Sequence, residues 1–196
     1  MFRILLIVSV IPIVFVMLAT WWFGTRVLWL EGKRKCRCNL ESWLPDPEDK
    51  NEVHRSDATA KEFGIQLRKK ALMHWKEQSP KIAKAREGNR AFGMAVPPLS
   101  AVIAVFATLV GRIPPFGAIA IFAVATAAST IIGMLSLPSE LTAIRRYIQS
   151  GAIKGSFPNS YDEESVIACA LAQVWDSNLP PILRWFQSGG QTKSRK

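Results

Sequence analysis

The chain opens with Met1-Phe2-Arg3 and then runs for twenty residues without a charge, from Ile4 to Phe23. A helix of about 20 residues, rising about 1.5 Å per residue, crosses a hydrocarbon core of about 30 Å. A secretory signal peptide is the main alternative, but its apolar region spans only about 7 to 15 residues and ends in small residues. This run ends in Thr20-Trp21-Trp22-Phe23, and tryptophans are typical of a membrane interface. We therefore expect a retained membrane anchor over residues 1–30.

Two further apolar stretches, at about 91–111 and 116–137, are each long enough to span a bilayer. The second is rich in Ala, Gly, Ser and Thr, whose small side chains let helices pack closely in lipid. The sequence thus predicts a transmembrane hairpin over 91–137, in which Pro97-Pro98 marks either a bend or a late start of the first helix. A buried hairpin of a soluble protein is the alternative, but it needs a larger surrounding domain than 196 residues provide.

The net charge of +10 is concentrated beside the predicted spans. Sixteen of the 25 Lys and Arg residues lie between Arg26 and Arg90, whereas the loop between the last two spans has only Arg112. The positive-inside rule then places the N-terminus outside the membrane and segments 31–90 and 138–196 in the cytoplasm. Nucleic acid is not an expected partner, because the chain has no aromatic RNA-binding motif and no zinc-finger spacing.

Basic residues near the predicted membrane surface are candidates for orienting the chain and for binding anionic lipid headgroups. They are Lys33, Arg34, Lys35, Arg37, Lys81, Lys84, Arg86 and Arg90. Tryptophans near the same level are candidate membrane-interface anchors. They are Trp21, Trp22, Trp29 and Trp75. Together the two sets predict close contact with anionic lipids.

The predicted fold class is an all-α membrane protein with three transmembrane helices, an N-terminal anchor plus a hairpin, and cytoplasmic amphipathic helices. No β-rich run is present. Apolar periodicity and capping signals place amphipathic helices at Ser56 to Gln78, Leu137 to Gly151 and Ser160 to Asn178. Ser79-Pro80 is expected to open a basic helix, Pro80 to Glu87, that leads into the second span. A polar loop is expected between Asn39 and Arg55, and a short apolar element at 182–186 should precede a mobile basic tail.

Three cysteines do not make a disulfide framework, and Cys36-Arg37-Cys38 is predicted to lie in the reducing cytoplasm. The pair could supply two metal ligands or an acylation site near the membrane. Free thiols are the simpler interpretation, because no second Cys/His pair completes a tetrahedral site. Cys169 lies in an apolar run and is expected to pack in a core.

Glu140 follows the third predicted span by one turn, within Leu137-Pro138-Ser139-Glu140-Leu141-Thr142-Ala143-Ile144-Arg145-Arg146. On the residues alone it is a metal ligand, a partner of Arg145 or Arg146, or a favourable charge near a helix N-terminus. The pattern Leu-Pro-x-Glu-x-x-Ala-x-x-Arg follows a hydrophobic hairpin and precedes an acid-capped, alanine-rich helix at 163–172. In this arrangement, over about 90–186, the chain resembles the integral-membrane neutral zinc metallopeptidases of bacteria. The resemblance implies a bacterial cytoplasmic (inner) membrane.

The resemblance implies a zinc-binding His-Glu-x-x-His motif in the helix before the hairpin, but the matching positions here are Gln66, Leu67 and Lys70. Lysine brings positive charge toward the metal, and leucine cannot act as a general base. Only Glu140 remains, as the match to the family's carboxylate ligand. His54 and His74 could complete a site with Glu140, but we expect no catalytic residue, no bound metal and no cofactor.

These observations predict a non-catalytic accessory or structural subunit that packs against other integral membrane proteins of a larger complex. The seven tryptophans favour an energy-converting assembly, photosynthetic or respiratory. Two alternatives stay open: a metallopeptidase with an unconventional site, and a small oligomeric channel or lipid-binding regulator. The spans contain hydroxyl side chains but no ionisable ones, which argues against an ion path through a single chain.

Overall fold

A computed structural model describes residues 2–44 and 53–178, which are mostly helical. Its elements, in chain order, are α1 (Phe2–Thr20), a π-helical turn (Trp21–Thr25), α2 (Arg26–Leu30), β1 (Lys35–Arg37), α3 (Leu40–Trp43), β2 (Asp57–Thr59), α4 (Ala60–Gln78), α5 (Pro80–Leu109), α6 (Pro115–Leu135), α7 (Leu137–Gln149) and α8 (Ser160–Asn178). The apolar element expected at 182–186, the basic tail and part of the expected 39–55 loop lie outside the described residues.

Three helical stretches are long and apolar enough to cross a membrane: Arg3–Leu30, Pro80–Leu109 and Pro115–Gln149. The prediction of three helices able to span is therefore confirmed. The second stretch is longer than the predicted apolar run, because the basic helix expected at Pro80 to Glu87 and the span after it form one continuous helix. Helix α5 also continues through Pro97 and Pro98, so the late start considered from the sequence is wrong.

The described residues pack into two units, and the first comprises 2–20, 84–137 and 178. In this unit α1 packs against α6, where Val16 is buried among Ile13, Met17 and Met134. The buried face of α6 consists of small or hydroxyl-bearing residues, namely Gly117, Ala120, Thr126, Ala127, Ser129 and Thr130. Such residues let helix backbones approach closely, as expected from the composition of this span.

The outer faces of the spans carry large apolar side chains that are well exposed. Phe15 of α1, Phe106 of α5 and Phe116 of α6 are 68%, 68% and 74% exposed. In water, so much apolar surface on three helices would be unfavourable by about 25 cal/mol per Å². The same faces are suited to lipid or to the spans of other membrane proteins.

The second unit comprises 21–44, 53–83 and 138–177 and has an aromatic centre. The rings of Trp43, Phe63 and Phe157 contact one another edge to face, with centroids 5.2 to 5.4 Å apart. Around them lie cysteine, alanine and branched aliphatic side chains from α4, α8 and the segment before α4. This arrangement matches the geometry that aromatic quadrupoles prefer.

A two-stranded antiparallel sheet, formed by β1 and β2, corrects the expectation that the chain has no strand. The central pair is Cys36 with Ala58, and both side chains are buried. Each strand has only three residues, too few for an alternating pattern to be recognised in the sequence. Packing of this pair against the aromatic centre, rather than strand propensity, accounts for the pairing.

Two helix starts also differ from the predictions. Helix α4 is capped by Thr59 and not by Ser56, because Glu62 stands three residues after Thr59 and completes a reciprocal capping box. Helix α8 is preceded by Asn159, whose side-chain oxygen accepts the N–H of Tyr161, so the cap lies one residue before the predicted Ser160. The bounds of α7 agree with the prediction, and Gly151 after it has a φ of 81°, a conformation that favours glycine.

Candidate functional site

Glu140 lies in the first turn of α7, and its side chain is completely buried. One of its carboxylate oxygens, Oε1, accepts hydrogen bonds from Nε and Nη2 of Arg68, at 2.8 and 2.5 Å. The same Nη2 also donates to the hydroxyl of Ser177 in α8, which in turn donates to the carbonyl of Val174. One guanidinium group therefore joins α4, α7 and α8 in the interior of the second unit.

This pairing corrects the sequence-based interpretation of Glu140, whose ion-pair partner is Arg68 rather than Arg145 or Arg146. The sequence gives only a weak signal for Arg68. It lies on the small-residue side of α4, four residues after Gly64 and three before Ala71, where a charged side chain needs a buried partner. The partner stands 72 positions away, so helical periodicity alone does not reveal it.

The structure does not bring the candidate metal ligands together. His54 is exposed in the segment before β2, and His74 of α4 forms a 2.9 Å hydrogen bond with Gln78 and a ring contact with Tyr147 at 5.7 Å. Within residues 2–44 and 53–178, no three His, Cys, Asp or Glu side chains are close enough to hold a metal ion.

The positions that the sequence comparison aligned with the zinc motif of the metallopeptidases have other contacts. Leu67 is fully buried in the core, and Lys70 donates from Nζ to the carbonyl of Trp43 while lying 4.7 Å from the centre of its ring. Arg68 lies two positions from both Gln66 and Lys70, and in an α-helix such a residue projects from nearly the opposite side. Glu140 thus binds the side of α4 that faces away from these two positions.

A groove of about 540 Å³ opens between the C-terminal half of α4, the first turn of α5 and one side of α7. It is lined by Ala71, His74, Trp75, Gln78, Ser79, Ile82, Pro138, Ser139, Thr142, Ala143, Arg146, Tyr147 and Ser150. All of these residues belong to the second unit. Apolar surface predominates in the groove, and hydroxyl groups, the His74 ring, the Gln78 amide and the cationic Arg146 provide its polar part.

The basic residues that the sequence assigned to lipid contact fall into two groups. Lys33, Lys35 and Arg37 are exposed around β1, and Lys81, Lys84 and Arg90 are exposed along α5, where Arg86 is half-buried. Arg34 instead has partners within the protein. Its Nε lies 3.1 Å from Asp162, and its guanidinium stacks 3.8 Å from the Tyr161 ring centre at the start of α8.

The tryptophans predicted as interface anchors also fall into two groups, which differ in exposure. Trp21, Trp22 and Trp29 are between 52% and 63% exposed. Arg26 lies 4.4 Å over the ring of Trp22, and Lys33 lies 5.1 Å over that of Trp29, as in the mixed basic and aromatic surfaces found at membrane interfaces. Trp75 is half-buried in the wall of the groove.

The three cysteines are free and buried, as the simplest interpretation of the sequence predicts. Burial raises the pKa of the Cys36 and Cys38 thiols to about 11 and that of Cys169 to about 12. A thiol that is buried and protonated is a poor metal ligand and a poor acylation site. The geometry therefore favours core packing for all three.

Comparisons with protein-family models, with curated proteins and with solved structures found no match to this chain. The similarity to membrane zinc metallopeptidases accordingly stays a prediction from the residues quoted above.

Proposed function

We propose that this chain is a non-catalytic accessory or structural subunit of a larger membrane protein complex, similar to a membrane metallopeptidase without a zinc site. The observation that carries the proposal is the ion pair of Glu140 with Arg68. A zinc ion at that carboxylate would stand next to a guanidinium charge in a buried site, where repulsion is weakly screened. The side chains that would supply the other ligands do not converge there.

The outer faces of the spans support a role in assembly. A cleft of about 420 Å³ lies between α5 and α6, near the turn that joins them, and it is almost entirely apolar. Its walls include Ala101, Ala104 and Ala118. Within lipid, helices associate through close packing of small residues, so this cleft offers a place for a partner's span.

The wider assignment follows from the same proposal. The partners are other integral membrane proteins in a bacterial cytoplasmic membrane, with the N-terminus outside and the C-terminus in the cytoplasm. An energy-converting complex, photosynthetic or respiratory, is the partner class favoured by the many tryptophans. Anionic lipids contact the exposed lysines and arginines around β1 and along the start of α5.

Affinity purification of the tagged full chain in a mild detergent, followed by cross-linking mass spectrometry, tests this role. Foreign membrane subunits should co-purify and cross-link to α5 and α6. Ala118→Leu fills the cleft and should reduce their recovery, whereas Ala125→Leu on the same helix, outside the cleft, should not. Recovery of the chain only as a homo-oligomer would favour the channel or lipid-regulator alternative.

Zinc content separates the proposal from an active peptidase. We expect no stoichiometric zinc in the purified chain, even after incubation with the metal followed by desalting. About one zinc per chain, lost on His74→Ala or Glu140→Gln substitution, would support the unconventional metallopeptidase and overturn the non-catalytic assignment.

A further inference from the structure

We propose that the groove between α4 and α7 is a binding site for the phosphate-bearing headgroup of an anionic membrane phospholipid. This site is separate from the buried pair of Glu140 and Arg68 and does not depend on the accessory role. It also differs from the exposed basic residues considered above, because its walls enclose a defined volume of about 540 Å³.

The charge of the groove favours an anion. Its lining contains one arginine, Arg146, and one histidine, His74, but no aspartate or glutamate. Among the described residues, Arg146 has no ion-pair partner, and the nearby carboxylate of Glu140 is directed into the interior toward Arg68. A guanidinium in a walled groove is well suited to bind phosphate oxygens through charge-assisted hydrogen bonds.

The first turn of α5 strengthens the preference for an anion. Ser79 precedes this 30-residue helix, and both Ser79 and Ile82 line the groove. Pro80, the first residue of the helix, has no N–H, so the N–H groups of Lys81 and Ile82 are the ones that have no acceptor within the helix and carry the positive end of its dipole. Arg146 on one wall and this helix end on the other thus border the same space.

The remaining lining indicates a ligand that is partly apolar. Ala71, Ala143 and Pro138 give the groove apolar walls, and the rings of Trp75 and Tyr147 add amphipathic surface. A soluble phosphate ester would leave most of this surface without a partner, whereas the glycerol and upper acyl chains of a phospholipid would cover it.

The course of the chain places the groove where such a lipid is found. One wall contains Pro138 and Ser139, which lie in the first turn of α7, shortly after α6 ends at Leu135. The other contains Ser79 and Ile82, from which α5 leads through three basic turns into the second span. Both walls therefore adjoin the ends of predicted spans, at the level of lipid headgroups.

Native mass spectrometry of the full chain in mild detergent, titrated with phosphatidylglycerol or phosphatidylcholine, tests the site. We expect the first phosphatidylglycerol to bind more tightly than phosphatidylcholine. Arg146→Gln should weaken it by about tenfold or more, the effect of removing one charge-assisted hydrogen bond. The matched control is Arg145→Gln. It removes the same charge from the adjacent position, which is also exposed but does not line the groove, and it should change the affinity less than about threefold.

A second variant tests the volume without changing the charge. Thr142 is exposed on the groove wall, so Thr142→Phe should fill the space without disturbing the core and should also weaken the first phosphatidylglycerol. Equal effects of Arg145→Gln and Arg146→Gln, or no effect of Thr142→Phe, would overturn the site. Displacement of the lipid by millimolar glycerol 3-phosphate would show that a soluble phosphate ester, rather than a membrane lipid, is the ligand.

Discussion

Arg68 directs two of its donors, Nε and Nη2, to a single oxygen of Glu140, although the two residues are 72 positions apart in the chain. The carboxylate is completely buried, and the arginine side chain is only 15% exposed. Both charges have therefore lost most of their hydration, and their mutual contact compensates for it. The pair ties the helix before the predicted hairpin to the helix after it.

Removing one member of this pair should be far more harmful than removing both. Arg68→Met leaves Glu140 without its cation in a buried site and should reduce the free energy of unfolding by about 3–5 kcal/mol. The double variant Arg68→Met/Glu140→Leu should recover much of that loss, because no charge is then buried alone. Urea unfolding in mild detergent, followed by circular dichroism, measures both. A double variant that is less stable than Arg68→Met alone would contradict the coupling between the two residues.

An exposed ion pair provides the control for this cycle. Arg55 and Glu62 lie 3.3 Å apart, but their side chains are 64% and 43% exposed. Solvent screens such a pair, so Arg55→Met should cost less than about 1 kcal/mol. An effect as large as that of Arg68→Met would show that burial does not govern the difference.

The aromatic centre of the second unit should tolerate little truncation. Phe63 is fully buried between Trp43 and Phe157, so Phe63→Ala removes two ring contacts, leaves a cavity and should cost about 3–5 kcal/mol. Ile65, on the same helix, is 46% exposed, and Ile65→Ala should cost less than about 1 kcal/mol. Comparable losses for the two variants would contradict the assignment of Phe63 to the core.

The sequence predicts the spans well because their signal is local. Length, apolar composition and the absence of charge are properties of consecutive residues, and Leu137 to Gly151 likewise combines a helical period with a terminating glycine. The short strands and the buried pair depend instead on contacts between distant residues. Cys36 meets Ala58 and Arg68 meets Glu140 only once the chain has folded, and no local pattern specifies either contact.

Close approach of two helices is a further feature that the sequence does not reveal. Gly64 of α4 lies so near α8 that a Cβ added to it would be 2.8 Å from the Cβ of Cys169. Gly64→Ala should therefore destabilise the unit by about 1–3 kcal/mol, despite alanine's better helix propensity. At Gly88 of α5 an added Cβ meets nothing within 4 Å, so Gly88→Ala should be neutral or stabilising. Thermal unfolding of the two variants compares them, and equal shifts would refute the close packing.

The buried thiols should react slowly. A cysteine with a pKa of about 11, as at Cys36 and Cys38, is about a hundredfold less ionised at pH 8 than a cysteine with the usual pKa of 9.0. Burial further hinders access of the reagent. Iodoacetamide labelling at pH 8, followed by mass spectrometry, should modify the native chain at least about a hundredfold more slowly than the urea-unfolded chain. Rapid labelling of Cys36 or Cys38 in the native chain would instead support the hypothesis that this pair is an acylation site.

The capping box at the start of α4 should make stability depend on acid pH. The N–H of Thr59 donates to the Glu62 carboxylate at 2.9 Å, and the Thr59 hydroxyl lies 3.1 Å from it. The backbone hydrogen bond is the main reason that the pKa of Glu62 is lowered from its usual 4.5. Because the folded-state pKa is depressed, this contribution to stability is complete above about pH 4.5 and is lost as the pH falls through the lowered value.

Glu62→Gln tests this dependence directly, because glutamine can still accept the Thr59 N–H but does not titrate. The variant should be somewhat less stable than the native chain at pH 7, since its hydrogen bond is no longer charge-assisted, and the difference should shrink toward pH 3 as Glu62 becomes protonated. Urea midpoints at pH 7, 4.5 and 3 measure this convergence. The other carboxylates titrate equally in both proteins, so they cancel from the comparison. If the difference in stability between the native chain and Glu62→Gln stayed constant from pH 7 to pH 3, the ionised Glu62 carboxylate would not be stabilised by the cap.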